Sequence, residues 1–108
     1  MTLPELEERM RGFLEGEYTA ILFEQEGVPV AYALYRQDAD SLYLRHFFVE
    51  RSRRRQGIGR QAMALLRGEI WPPDARVTVE VLVHNRAVHA FWRSVGFQDY
   101  AVTLELLP

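Results

Sequence analysis

The chain has 108 residues, 48% of them hydrophobic and 26% charged, the composition of one small globular domain covering residues 1–108. No apolar run approaches the roughly 20 residues of a membrane helix, and a net charge of −2 argues against a chain built as a whole for nucleic acid. Cysteine is absent, which excludes disulfides, thiolate metal sites and thiol nucleophiles and agrees with a cytoplasmic location; all 13 basic residues are arginine, which excludes a lysine Schiff base or lysine general base.

Thr2 to about Glu15 has Leu3, Leu6, Met10, Phe13 and Leu14 at helical spacing, and Thr2-Leu3-Pro4-Glu5 has the spacing of a capping box; a helix is predicted there, stopped by Gly16. The period then changes. Tyr18 to Glu24 and Val28 to Arg36 are predicted strands of a hairpin about Gly27, and Asp38-Ala39-Asp40-Ser41 is a second turn. A third strand, Leu42 to Val49, runs into a basic Gly-rich turn. A helix from Gln56 or Gly57 to about Glu69 follows, broken by Trp71-Pro72-Pro73-Asp74. Val77 to Val83 is a strand with its odd-numbered valines on one face. Asn85 to Val95 is a helix with Gly96 past its end, and Phe97 to Leu107 supplies one or two final strands. The order α-β-β-β-α-β-α-β is an α/β arrangement in which a meander feeds crossover helices.

The turn Arg54-Arg55-Gln56-Gly57-Ile58-Gly59 is the feature with chemical content. Glycines let a backbone approach an anion closely, and the free N–H groups and dipole of the following helix favour negative charge. Arg51, Arg53, Arg54, Arg55 and Arg60 lie within ten residues with no acid among them. The turn lacks the third glycine of a dinucleotide fingerprint and the Lys-Ser/Thr of a P-loop.

Arg54-x-x-Gly57-x-Gly59, together with Asn85-Arg86-Ala87-Val88-His89-Ala90-Phe91-Trp92-Arg93-Ser94-Val95-Gly96-Phe97, resembles the acetyl-CoA motif and the Asn…Tyr/Trp…Gly-Phe motif of the GNAT superfamily of N-acetyltransferases. The resemblance runs from about Tyr18 to the C-terminus. It implies an acyl-CoA N-acyltransferase fold: a mixed, mainly antiparallel sheet with splayed central strands, flanked by helices. The chain is N-terminally shortened against that pattern, the usual first strand and first helix having no counterpart before Thr2. The resemblance also implies acetyl-CoA as acetyl donor and a primary amine as acceptor, a small molecule or a peptide N-terminus, with no metal. Phe47, Phe48 and Val49 would pair with the pantetheine arm as an added strand, through the backbones of Phe47 and Val49. Arg54, Arg55, Gln56, Gly57, Ile58, Gly59 and Arg60 would cradle the pyrophosphate. Asn85 would bond the pantetheine or hold the parting of strands 42–49 and 77–83.

Transfer to an amine needs a group to take the ammonium proton. Glu80, opposite the valine face and five residues before Asn85, holds the place of the glutamate base in ribosomal-protein-type members of the superfamily. His46 is the second candidate, since histidine is the residue type whose charge changes near neutral pH. Tyr43 is positioned to share the face of Arg45. Trp92 stands where many members have a tyrosine credited with protonating the leaving thiolate; an indole N–H only donates and is too weak an acid for that role. Trp92 is expected along the pantetheine or acetyl end. The missing hydroxyl keeps open a catalytically weak acetyl-CoA-binding or sensing module. A homodimer is expected, and neither nucleic acid nor membrane as partner.

Overall fold

A computed structural model describes residues 7–12, 17–54 and 56–108. Five strands form one sheet in sequence order: β1 (Glu7–Gly12), β2 (Tyr18–Gln25), β3 (Val28–Gln37), β4 (Leu42–Val49) and β5 (Val77–Val79). The first four pair antiparallel, and β5 joins β4 in parallel. Helix α1 (Ile58–Leu65) continues into a single π turn, Leu66–Ile70, and crosses from β4 to β5; α2 (Arg86–Ser94) follows β5. The alternation in β2 to β4 dictates which side they cover. Ile21, Phe23, Ala33 and Leu44 are fully buried and pack with Ile58, Ala62, Met63 and Leu66 into one core. Phe47, Val49 and the aromatics of α2 extend the same cluster, so both described helices lie on one face of the sheet. No described helix is long and apolar enough to cross a membrane.

Three expected elements differ. Glu7–Gly12 is a strand, where a helix over 2–15 was expected; residues 1–6 and 13–16 fall outside the described set. The apolar spacing there is helical, but Glu7 to Gly12 supply the backbone partners that one edge of β2 needs, with Met10 opposite Ile21, and pairing overrides local period. This gives the sheet a strand ahead of β2, at the edge of the order β1-β2-β3-β4-β5. The expected strand Val77 to Val83 is a strand only over Val77–Val79, and its pairing with β4 ends at Leu44–Val79. Phe97 to Leu107 form no strand: Tyr100, Val102, Leu104 and Leu106 alternate as a strand would but are 71–99% exposed, and a strand exists only against a partner edge.

Candidate functional site

Two bulges shape the sheet. The one at Leu34/Tyr35 leaves Arg45 unpaired in β4, since Tyr35 faces Leu44 and Leu34 faces His46. Tyr43, Arg45 and His46 therefore share the face away from the helices, while Leu44, Phe47 and Val49 face the core. Pairing of β4 with β5 stops at Leu44–Val79, immediately before the bulge. From Arg45 to Val49 the β5-side edge of β4 has no strand beside it among the described residues. That edge carries backbone groups available to an extended guest chain.

The strand ends at the glycine turn. Glu50 N–H bonds Val30 O at 2.8 Å, and the Glu50 carboxylate accepts from the Ser52 backbone N–H at 2.9 Å and from the Ser52 hydroxyl, setting the turn Arg51–Arg53. Gly57 sits at φ 78°, the left-handed region, as N-cap of α1. A Cβ there would touch nothing, so the turn is open on that side. The first bond of the helix runs from Gln61 N–H to Gly57 O, at 3.0 Å. The N–H groups of Ile58, Gly59 and Arg60 therefore have no acceptor within the helix, which is what a pyrophosphate requires. Gly59 serves another purpose: a Cβ would lie 3.1 Å from the Phe91 ring, so this glycine admits α2 against α1. Gln56 and Arg60 are exposed, whereas Arg54 folds back, its Nε donating to Val49 O at 3.0 Å and its guanidinium over Phe48 at 5.3 Å. Arg55 lies outside the described residues.

Asn85 caps α2, its Oδ1 accepting from the Val88 N–H at 3.3 Å. Trp92 is 7% exposed and lies among Phe47, Phe91 and Phe97 with ring centroids 5.0–5.5 Å away. It is a wall beneath β4.

Glu80 is the first residue beyond the paired part of β5 and lies on the face opposite Val77, Val79 and Val81, which pack on the core. Its Oε1 accepts from the Tyr43 hydroxyl at 2.6 Å. That bond, helped by partial burial, holds the Tyr43 phenol above its ordinary pKa, so it stays a donor. His46 is exposed on the same face, across from Leu34. Around Tyr43 the structure assembles residues that local motifs do not reveal. The Tyr18 hydroxyl accepts from both Arg36 and Arg45, each at 2.9 Å. The Arg36 guanidinium lies 5.3 Å from the Tyr18 ring and 5.2 Å from the Tyr43 ring, and it pairs with Asp38 at 2.7 Å. The signal for this cluster is register: Tyr18, Arg36 and Tyr43 are direct neighbours across three strands. No group of three His, Asp or Glu side chains suited to a metal occurs among the described residues.

The sequence profile described as the acetyltransferase (GNAT) family matches residues 2–97. No curated protein matches the chain. Among solved structures, the aminoglycoside N-acetyltransferase AAC(6')-Iy bound to a bisubstrate analogue, CoA-S-monomethyl-acetylneamine, superposes with a TM-score of 0.70 at 14% identity, over 85% of this chain and 69% of that one. The YycN protein of Bacillus subtilis gives 0.74 at 20% identity, over 91% and 68%. The aminoglycoside 6'-N-acetyltransferase AAC(6')-IG of Acinetobacter haemolyticus gives 0.66 at 17% identity, over 85% and 70%. At these identities the likeness is one of fold.

Proposed function

Starting from the fact that this chain belongs to the GNAT acetyltransferase family, we propose that it is an N-acetyltransferase that moves the acetyl group of acetyl-CoA directly to a primary amine. One observation carries the reading. The unpaired edge of β4 from Arg45 to Val49 leads straight into the open glycine turn and the free N–H groups of α1. A pantetheine arm would lie along Phe47, Phe48 and Val49, and its pyrophosphate at Gln56, Gly57, Ile58 and Gly59, with Arg54, Arg55 and Arg60 adding positive charge. Acetyl-CoA would supply the activated carbonyl. The site contributes placement of the amine beside Glu80, which takes its proton as the C–N bond forms and the C–S bond breaks. The sulfur leaves with the bonding pair and is protonated by water. Glu80 is preferred to His46 because it stands at the parting of β4 and β5 and is oriented by Tyr43.

The test has two stages. Acetyl-CoA should raise the Tm, as any ligand of the native state does. Free thiol should then appear with an amine panel, and Glu80→Gln should lower kcat by about a hundredfold or more while leaving the acetyl-CoA shift in place. Undiminished turnover would remove Glu80 as the base. A second reading, an acetyl-CoA sensor, rests on Trp92, which offers no hydroxyl for the thiolate; a Tm shift without turnover on a broad panel would select it.

The working unit proposed is a cytoplasmic homodimer. The exposed alternating side chains of Tyr100, Val102, Leu104 and Leu106 support it, as an apolar strip suited to a second copy. Light scattering that shows a monomer at tens of micromolar would count against the dimer.

A further inference from the structure

Among the residues whose side chains are described, two arginines lie on the face of the sheet away from the helices, and they differ in their partners. Arg36 is committed, paired with Asp38 at 2.7 Å and packed over the rings of Tyr18 and Tyr43. Arg45 is exposed, its Nη1 donates to the Tyr18 hydroxyl at 2.9 Å, and its guanidinium carbon lies 5.4 Å from the Tyr18 ring centroid. No carboxylate among the described residues pairs with it. A guanidinium has five N–H donors in a planar fork, so most of this one remains free for a guest. Its position follows from register. Leu42, Tyr43 and Leu44 face Val77, Thr78 and Val79 in turn, and Arg45 and Glu80 are the next residue of each chain segment beyond the last pair. A carboxylate and a guanidinium that has no carboxylate partner among the described residues thus flank the point where β4–β5 pairing ends.

From this pairing we infer that the acceptor is an amino-carboxylate, with its amine at Glu80 and its carboxylate in the fork of Arg45. The inference rests on the acetyltransferase reading above and narrows its substrate class. Carboxylate and guanidinium match in shape as well as charge, forming two parallel hydrogen bonds. A polycationic acceptor would instead bring a second positive group against Arg45 and Arg36, a repulsion that selects against it. The reaction balances without a further reagent. The amine nitrogen forms a bond to the thioester carbonyl carbon, and the C–S bond breaks with its electron pair on sulfur. The amine proton passes to Glu80 and on to solvent. The acceptor carboxylate stays bound and unchanged.

The test compares alanine, alaninamide and spermidine as acceptors, read by thiol release. Alaninamide has the same side chain and a less basic, chemically readier amine, so a preference for alanine must come from recognition. Alanine should show kcat/KM about tenfold or more above alaninamide and above spermidine, the scale of one charge-assisted contact. Arg45→Gln should raise KM for alanine about tenfold, move kcat by less than about twofold, and erase the difference between acid and amide. Arg45→Lys should recover part of it. A readout independent of turnover uses the product: with CoA present, N-acetylalanine should raise the Tm of the wild type and not that of Arg45→Gln. Equal efficiency with alanine and alaninamide, a preference for spermidine, or an equal product-induced Tm shift in wild type and Arg45→Gln overturns the inference. A Tm shift by acetyl-CoA alone keeps these outcomes separate from the parent reading, since its absence sinks the acetyltransferase assignment itself.

Discussion

The two faces of this sheet are built to different rules. The face under the helices is apolar and closed: Ile21, Phe23, Ala33 and Leu44 have no exposure, and Trp92 and Phe47 seal the far end. The other face carries tyrosines, arginines and a glutamate held by hydrogen bonds and ring contacts, with Tyr32 stacked on Phe48 at 5.7 Å and both more than a third exposed. Burial fixes position, and exposure leaves charge available. The first face therefore sets where β4 lies, and the second leaves polar and charged groups in water. β4 belongs to both, and its bulge is where the two sets of rules meet.

Substitutions can break or sharpen this contrast. The largest effect is expected on the closed face, where Phe23→Ala should cost about 3–5 kcal/mol in a denaturant titration, by lost transfer energy and a cavity. A loss below 1 kcal/mol would mean that this face is not the structural one. Gly57→Ala is expected to be intermediate. No atom would clash, but the left-handed backbone should cost about 1–2 kcal/mol, and the acetyl-CoA-induced Tm shift should shrink as the turn relaxes. The smallest effect is expected from Asp99→Asn. The hydrogen bond from Arg93, 2.8 Å away, holds the Asp99 carboxyl below its ordinary pKa. A depressed carboxylate stabilises the fold above its unfolded pKa, and that contribution disappears as pH falls through the folded value. Both groups are exposed, so Asp99→Asn should barely move Tm at pH 7 and should flatten only the acid limb below the usual carboxylate range. A large drop at pH 7 would show that the surface pair carries more than its exposure implies.

The parts legible in the sequence were those governed by local spacing. Alternation marked β2, β3 and β4, and Gly57 and Gly96 marked places where the backbone enters positive φ. Glu80 opposite the valine face was also visible, because Val77, Val79 and Val81 define parity without any partner. The failures came where a distant partner decides. The apolar residues between Leu3 and Leu14 have helical spacing, yet Met10 lies opposite Ile21 in a strand. Tyr100 to Leu106 alternate without an edge to join. The Tyr18–Arg36–Arg45 cluster had no motif because it joins residues 18 and 27 positions apart through strand register and a bulge. Asn85 stands out in the sequence ahead of the α2 segment, and its visible work in the fold is to cap α2.

The bulge at Arg45 has one more consequence, which concerns how such a domain changes over time. Leu44 and Phe47 both face the helices although an odd number of positions separates them, so one residue between them must stand outside the count. Arg45 is that residue. It has no pairing slot opposite it in β3, and its side chain contributes nothing to the core. Exchanging it would leave each β3–β4 rung its partner and touch no core side chain, removing only the contact with Tyr18. The chemistry of the open face can therefore drift under selection while the scaffold beneath it stays the same.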